Sequence, residues 1–161
     1  MSSEPRTQQD WRATRVPRLA DWAGYLGLMP FAAALLGVAL AAAFDWREFA
    51  LRFSIAYGAA ILSFVGAVHF GLVVARRTPD TLAFVAGAIA PSLVAVAALL
   101  LGGQRGLALL TVGFGLFWLY ENRRCSHLLP AAYVNLRRNL SLAVCALLAL
   151  TMFAADHAGL R

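Results

Sequence analysis

The chain has 161 residues, of which 61% are hydrophobic and 14% are charged, and its mean hydropathy is +0.69. A soluble domain of this size is about half apolar and about a quarter charged, so this composition excludes a water-soluble globule. The net charge is +6, and all 14 basic residues are arginines that stand at the ends of apolar runs. Such placement orients helices in a bilayer and does not form a nucleic-acid-binding patch. We therefore predict an all-α polytopic membrane protein whose partner is the lipid bilayer and not nucleic acid.

The apolar runs predict a polar segment followed by a compact bundle of about five transmembrane helices. A helix rises about 1.5 Å per residue, so about 20 apolar residues cross a hydrocarbon core of about 30 Å. Residues 1–20 form the predicted cytoplasmic segment, and residues 21–157 form one transmembrane domain. The predicted spans are, in chain order, residues 22–44, 53–75, 81–101, 107–121 and 139–155. The last two runs are short, so a re-entrant pair is the alternative to two full crossings.

The arginines predict the orientation of these spans. Ten of the 14 lie in residues 1–20, 76–80 and 121–138, and four lie in residues 45–52, in residues 102–106 and in the C-terminal tail. Cytoplasmic loops carry the excess of basic residues. The N-terminus is therefore predicted to be cytoplasmic and the C-terminus periplasmic, in a bacterial inner membrane. The segments 45–52 and 121–138 are predicted to be a turn and a loop.

The second span holds a candidate functional polar site formed by His69, Tyr57 and Ser63. His69 lies about 10 Å from the cytoplasmic end of the span by helix rise. An ionisable group at this depth is costly and normally faces protein or water. Three roles stay open: a structural hydrogen bond, a proton or ligand role, and haem ligation. We predict no cofactor and no metal site, with haem as the open alternative.

Small residues in the same span predict close helix packing. Ala59, Ser63, Ala67 and Gly71 recur every four residues, and further small residues, Gly58 and Gly66, accompany them. Small residues let helix backbones approach closely in lipid. This ridge is therefore predicted to face another helix, although ordinary packing would explain it as well.

Two prolines lie inside predicted spans. Pro30 and Pro91 each leave a backbone carbonyl without its helical partner and can kink their helices. We expect the two kinks either to aid packing or to frame a small polar cavity beside the second span.

The late basic segment is predicted to contact lipid headgroups. Arg123, Arg124, Arg137 and Arg138 lie near aromatic residues at the predicted cytoplasmic face. Basic juxtamembrane segments attract anionic lipids, and topogenic charge alone is the simpler explanation.

Four motifs in this chain resemble a known family. Residues 57–71 read YGAAILSFVGAVHFG, residues 17–31 read PRLADWAGYLGLMPF, residues 91–93 read PSL, and residues 130–137 read PAAYVNLR. The motif at residues 57–71 resembles the signature of the family of unknown function DUF3429, with Phe70 where tryptophan is usual, and the other three are similar to its start and to its later segments. The family includes the mitochondrial transmembrane protein 69. The resemblance implies a small polytopic membrane protein without a settled activity, substrate or cofactor.

Three functions stay open at this stage. The first is a non-enzymatic accessory, assembly or scaffold protein that packs against other membrane proteins or against itself. The alternatives are a small-solute or proton transport module that uses His69, and a haem- or quinone-associated redox protein. The sequence has no serine-hydrolase elbow, phosphate loop or nucleotide fingerprint, so the prediction leans away from an enzyme.

Overall fold

The computed structural model describes residues 18–74, 82–124 and 131–160, and these residues are almost entirely helical. The predicted all-α fold is therefore confirmed. The helices are α1 (Arg18–Leu26), α2 (Met29–Leu40), α3 (Phe44–Val74), α4 (Leu82–Leu101), α5 (Gly103–Arg124) and α6 (Ala131–His157). Because α1 and α2 are two halves of the first predicted span, the helices form a five-membered bundle with one broken member.

The first span breaks at Gly27 and Leu28, just before Pro30. The amide of Leu28 donates to the carbonyl of Tyr25 at 3.0 Å, a tight turn that ends α1. Pro30 lies in the first turn of α2, where its missing N–H group costs no helical hydrogen bond. The predicted kink is therefore a complete break. Pro91, in contrast, lies inside α4, which stays helical on both sides of it.

Helix α3 begins earlier than predicted, because residues 45–52 are helical and not a turn. Its 31 residues extend about 46 Å, well beyond a hydrocarbon core of about 30 Å. The chain reverses at residues 41–43 instead, where the Arg47 Nε group donates to the Ala41 carbonyl at 2.6 Å. Asp45 in the first turn of α3 is favourably placed against the helix dipole. The charges that suggested a turn therefore stabilise the start of a helix.

The helices pack in chain order around a closed ring. Contacts join each of α2 to α6 with the next helix, α2 closes the ring against α6, and α3 also contacts α5. Fully buried side chains fill the centre, the largest being Phe31, Leu62, Leu107, Leu110 and Leu148. Helix α3 therefore contacts α2, α4, α5 and α6, in agreement with the close helix packing that its small residues predicted.

Helices α5 and α6 form an antiparallel hairpin held by three side-chain contacts. Arg137 Nε donates to Glu121 Oε2 at 2.9 Å near one end, and Gln104 Nε2 donates to Asp156 Oδ1 at 3.2 Å near the other. Between them, the Cys145 thiol lies 3.5 Å from the carbonyl oxygen of Thr111.

The prediction of a loop at residues 121–138 is also largely wrong, because charged residues that suggested a loop are helical here, as they are at residues 45–52. Residues 121–124 belong to α5 and residues 131–138 belong to α6, so both helices continue past their apolar runs. The Glu121–Arg137 ion pair lets charged positions stay helical and buried, because each charge compensates the other. Residues 125–130 lie outside the described parts of the chain.

The surface of the bundle suits a lipid solvent. In the described residues, three stretches are long and apolar enough to cross a membrane: Trp22–Leu40, Phe44–Val68 and Ala132–His157. A fourth apolar helix, Val85–Leu101, is shorter. Large apolar side chains are exposed on every side, among them Leu36, Phe64, Leu100, Leu116 and Phe153. The protein is therefore a multi-helix membrane protein.

Candidate functional site

Two residues of the predicted polar site, Tyr57 and Ser63, point in different directions from α3. The Tyr57 hydroxyl donates to the Gly27 carbonyl at 3.1 Å, and its ring packs edge-on against Phe31 at 4.9 Å between centroids. Ser63 lies six residues further along α3, so its side chain points about 120° away from that of Tyr57 around the helix. The His69 backbone belongs to α3, but its side chain lies outside the described parts of the chain. The roles suggested for His69 therefore stay predictions.

Tyr57 binds the broken first span to α3. The carbonyl that it contacts belongs to Gly27, at the point where the helical ladder is interrupted. Such a carbonyl needs a partner in a membrane, where water does not reach it. Tyr57 supplies that partner from the neighbouring helix.

The predicted small-residue ridge does not stay on one face of α3. Ala59 is buried and Ser63 is half-buried, but Ala67 is exposed, and a Cβ atom at Gly71 would meet no atom within 4 Å. Residues four apart advance by about 40° around a helix with 3.6 residues per turn. The ridge therefore winds around α3 and reaches the outside of the bundle, so whether Ala67 and Gly71 face a helix stays a prediction.

The close contact between α3 and α4 falls on Gly66 instead. A Cβ atom at this position would lie 2.9 Å from the Ala88 carbonyl oxygen and 3.0 Å from the Pro91 ring. Gly66 follows Ala59 by seven residues, a spacing that returns to nearly the same face. Gly58 has the same role toward α5, where a Cβ atom would lie 3.0 Å from Leu110.

The outward face of α3 carries a strip of small residues that we call the outer strip. Its members lie within about 80° of one another around the helix. All are exposed except the half-buried Ser63, and they are Ala56, Ala60, Ser63, Ala67 and Gly71. Three residues of the predicted ridge, Ser63, Ala67 and Gly71, belong to the outer strip.

A cavity of about 290 Å³ lies beside the break in the first span. We call it the break cavity. Its walls come from α1, α2, α3 and α6, and Phe114 of α5 lines it from the centre of the bundle. The polar side chains that line it are Arg137 and Ser141, one helical turn apart on α6. Apolar residues form the rest of the wall, including Leu28, Phe31, Ile61, Val65 and Leu140.

The break lies in the wall of this cavity, because Gly27 and Leu28 line it. At Gly24, helix α1 lies against α6, where an added Cβ atom would be 2.8 Å from Leu140 Cδ1. Helix α2, beyond the break, packs between α3 and α6. Phe64 of α3 also lines the cavity and is 70% exposed, so it lies at the mouth.

The four arginines of the predicted headgroup segment are not equivalent. Arg137 has a side chain that is only 19% exposed and lies against Glu121, which is 8% exposed. Arg123 and Arg138 are exposed, and the side chain of Arg124 lies outside the described residues. Sequence reasoning missed the buried pair. Its one signal was Glu121, the only acid between residues 121 and 138.

A second cavity, of about 450 Å³, lies between α4 and α5 beside Pro91. Its walls are almost wholly apolar, and Gly87, Val94, Gly113 and Tyr120 contribute to them. Pro91 lines this second cavity, whereas Pro30 lines neither of the two, so the prolines do not frame a single polar cavity. Of the two, the break cavity is the one with a charged side chain in its wall.

The described residues contain no group of three or more His, Cys, Asp and Glu side chains able to hold a metal ion. The absence of a cofactor, and haem as its alternative, stay predictions.

Comparison with protein families gives a match to DUF3429, a family of proteins of unknown function, over residues 16–153. The match covers most of the chain, so the protein belongs to this family. Searches of curated proteins and of solved structures found no match. The more specific likeness to transmembrane protein 69 therefore stays a prediction.

Three of the four segments that carry the family resemblance line the break cavity. Gly27 and Phe31 belong to the motif at residues 17–31, Ile61 to the motif at residues 57–71 and Arg137 to the motif at residues 130–137. Segments more than 100 residues apart in the chain thus line one space.

Proposed function

We propose that this member of the DUF3429 family is a non-enzymatic accessory protein that assembles with other membrane proteins through the outer strip of α3. The observation that carries the proposal is a strip of five small residues, four of them exposed, that follows one face of α3 for about 22 Å. Ala60, Ala67 and Gly71 are exposed, whereas exposed positions on the other helices include Leu36, Leu100 and Leu116.

Lipid contact gives no reason for a small-residue face. Hydrocarbon chains solvate leucine and phenylalanine as well as alanine, so hydrophobicity does not drive one helix against another in a bilayer. Association depends on backbone approach and van der Waals packing, both of which small residues favour. The outer strip therefore has the composition of a helix-docking face.

The length of the outer strip fits a transmembrane partner helix. Ala56 and Gly71 are 15 residues apart, which corresponds to about 22 Å along α3. A hydrocarbon core is about 30 Å thick, so the strip extends over most of one crossing. Its occupant would be an apolar helix of another membrane protein.

The proposed location is a bacterial inner membrane with the N-terminus in the cytoplasm and the C-terminus in the periplasm. The arginine distribution supports this orientation, with ten of the 14 on the proposed cytoplasmic side. The Glu121–Arg137 pair then lies toward the cytoplasmic end of the α5–α6 hairpin, and the Gln104–Asp156 contact lies toward the periplasmic end.

Quantitative co-purification from native membranes tests the proposal. The double variant Ala67→Leu/Gly71→Leu adds bulk to the outer strip without a clash inside the chain, because Gly71 has no neighbour within 4 Å. We expect the protein to accumulate normally and to lose at least one stoichiometric partner that mass spectrometry identifies with the parent protein.

The matched control is Gly115→Leu on α5, where an added Cβ atom also meets nothing within 4 Å. This variant should retain the partner. Equal retention by both variants would contradict docking through the outer strip. A second copy of this chain as the sole partner would replace the accessory function with self-association.

A further inference from the structure

We infer that the break cavity binds one anionic phospholipid, with the lipid phosphate on Arg137 and an acyl chain along the apolar wall. This inference concerns a different surface from the outer strip and does not depend on the proposed function.

The Arg137 guanidinium has hydrogen-bonding capacity beyond its ion pair. It carries five N–H donors in a planar fork. In the described parts of the chain, its one hydrogen bond runs from Nε to Glu121 Oε2 at 2.9 Å. Because that bond uses the Nε side, Glu121 orients the group and leaves the terminal nitrogens for an acceptor in the cavity that Arg137 lines. The Ser141 hydroxyl lines the same cavity one turn further along α6 and provides a second donor.

The charge around the cavity favours an anion. Four arginines and one glutamate lie between residues 121 and 138, which leaves an excess of positive charge at this end of the hairpin. Glu121 therefore compensates only part of the local charge. Planar guanidinium groups bind phosphate through paired charge-assisted hydrogen bonds.

The remaining wall favours a lipid over a free ion. Apolar side chains such as Phe31, Ile61 and Val144 surround the space below Arg137. A volume of about 290 Å³ lies at the lower end of ligand cavities, which start at about 300 Å³. It accommodates part of one acyl chain beside the phosphate, and the exposed Phe64 at the mouth allows entry from the side.

Native mass spectrometry of lipid-depleted protein in detergent tests the inference. Phosphatidylglycerol and phosphatidylcholine of equal chain length are added separately, and bound lipids per chain are counted. We expect one phosphatidylglycerol per chain, bound about tenfold more tightly than phosphatidylcholine. Phosphatidylcholine carries the same phosphate but adds a quaternary ammonium group, which the excess of positive charge around the cavity repels. Equal binding of the two lipids would overturn the inference.

Two variants assign the binding to this cavity. Glu121→Gln/Arg137→Gln removes both charges of the pair together, so neither is left buried alone, and it should reduce phosphatidylglycerol binding to the phosphatidylcholine level. The control Arg138→Gln removes one exposed arginine beside it and should change binding less than about twofold, since a surface charge contributes little. If the folded double variant keeps its preference for phosphatidylglycerol, the inference fails.

A third variant decides the question if the double variant does not fold. Ala23→Phe adds bulk at an exposed position in the cavity wall and leaves the ion pair intact. It should abolish the single lipid adduct, while Ala146→Phe, at an exposed position of α6 outside the cavity wall, should not. Unchanged binding in Ala23→Phe would overturn the inference. So would displacement of the lipid by inorganic phosphate, because the site would then recognise an anion only.

Discussion

Two glycines of α3 have opposite surroundings, and they show how single residues set the packing of the bundle. Gly66 lies against the backbone of α4, where an added Cβ atom would be 2.9 Å from the Ala88 carbonyl oxygen. Gly71 lies on the outer strip, where an added Cβ atom would meet nothing within 4 Å. Glycine therefore allows two helices of this chain to pack closely at Gly66, and at Gly71 it leaves the surface of α3 open.

Adding one methyl group at each glycine separates the two roles. Gly66→Ala should destabilise the protein by about 1–3 kcal/mol, because the backbone of α4 must move to accommodate it. Gly71→Ala should be neutral or stabilise the helix by up to about 1 kcal/mol, because alanine favours the helix and nothing lies close. Thermal unfolding in detergent measures both. Equal loss in the two variants would contradict the packing described for α3.

Tyr57 provides a second test at the residue scale. Tyr57→Phe keeps the ring against Phe31 but removes the hydrogen bond to the Gly27 carbonyl. We expect a loss of about 1 kcal/mol in unfolding free energy, since the carbonyl at the break loses its partner. Tyr25→Phe is the matched control, because Tyr25 is half exposed and should tolerate the change. A Tyr57→Phe protein as stable as its parent would show that the hydrogen bond to Gly27 does not stabilise the bundle.

At the scale of elements, the α5–α6 hairpin shows how helices with short apolar runs reach full length. Glu121 and Gln104 are 17 residues apart, or about 26 Å along α5, and each contacts a polar residue of α6. These contacts lie at opposite ends of the hairpin and are separated by almost the thickness of a hydrocarbon core. The spacing of these polar contacts therefore matches one crossing, although α5 is not among the described stretches that are long and apolar enough to cross a membrane.

The Glu121–Arg137 pair should behave as one unit. Removing one charge, in Arg137→Gln, leaves Glu121 uncompensated in a buried position and should cost about 3–5 kcal/mol. The double variant Glu121→Gln/Arg137→Gln should be clearly more stable than the single variant, because no charge is left alone. A double-mutant cycle in unfolding free energy measures the coupling. The exposed Glu48–Arg52 pair is the control and should show almost none.

The sequence predicted the helices themselves better than their ends. The apolar run 81–101 corresponds closely to α4, because hydrophobicity alone determines a buried or lipid-facing helix. The starts of α3 and α6 depend on pairings such as Arg47 with Ala41 and Glu121 with Arg137, which a single sequence does not reveal. The small-residue ridge was assigned from four-residue spacing without the 40° advance per step, so its orientation was missed.

At the scale of the whole molecule, the bundle has a continuous core, and its outer surface varies in the size of the exposed side chains. Its ring of helices buries a continuous apolar core around Leu62, Leu110 and Leu148. Its outer surface presents many large apolar side chains, and the outer strip of α3 presents small ones. The break cavity lies between the first span, α6 and a different set of α3 residues, Ile61, Phe64 and Val65.

The orientation can be checked with single cysteines introduced into a variant without Cys125 and Cys145. Five crossings place the two chain ends on opposite sides, so Ser3→Cys should be labelled only from the cytoplasm and Gly159→Cys only from the periplasm. A membrane-impermeant maleimide on intact cells and on inverted vesicles measures this. Labelling of both positions from the same side would contradict five crossings and favour a re-entrant pair.

Photo-cross-linking in living cells tests the central claim, a partner helix on the outer strip, most directly. A photoreactive phenylalanine derivative is placed at Ala60 or Ala67 on the strip, and at Val112 or Leu142, two large apolar positions of α5 and α6 that are more than half exposed. The account predicts a discrete adduct with another membrane protein from both strip positions and none from the other two. Adducts with the same proteins from all four positions, or no protein adduct from the strip, would contradict it.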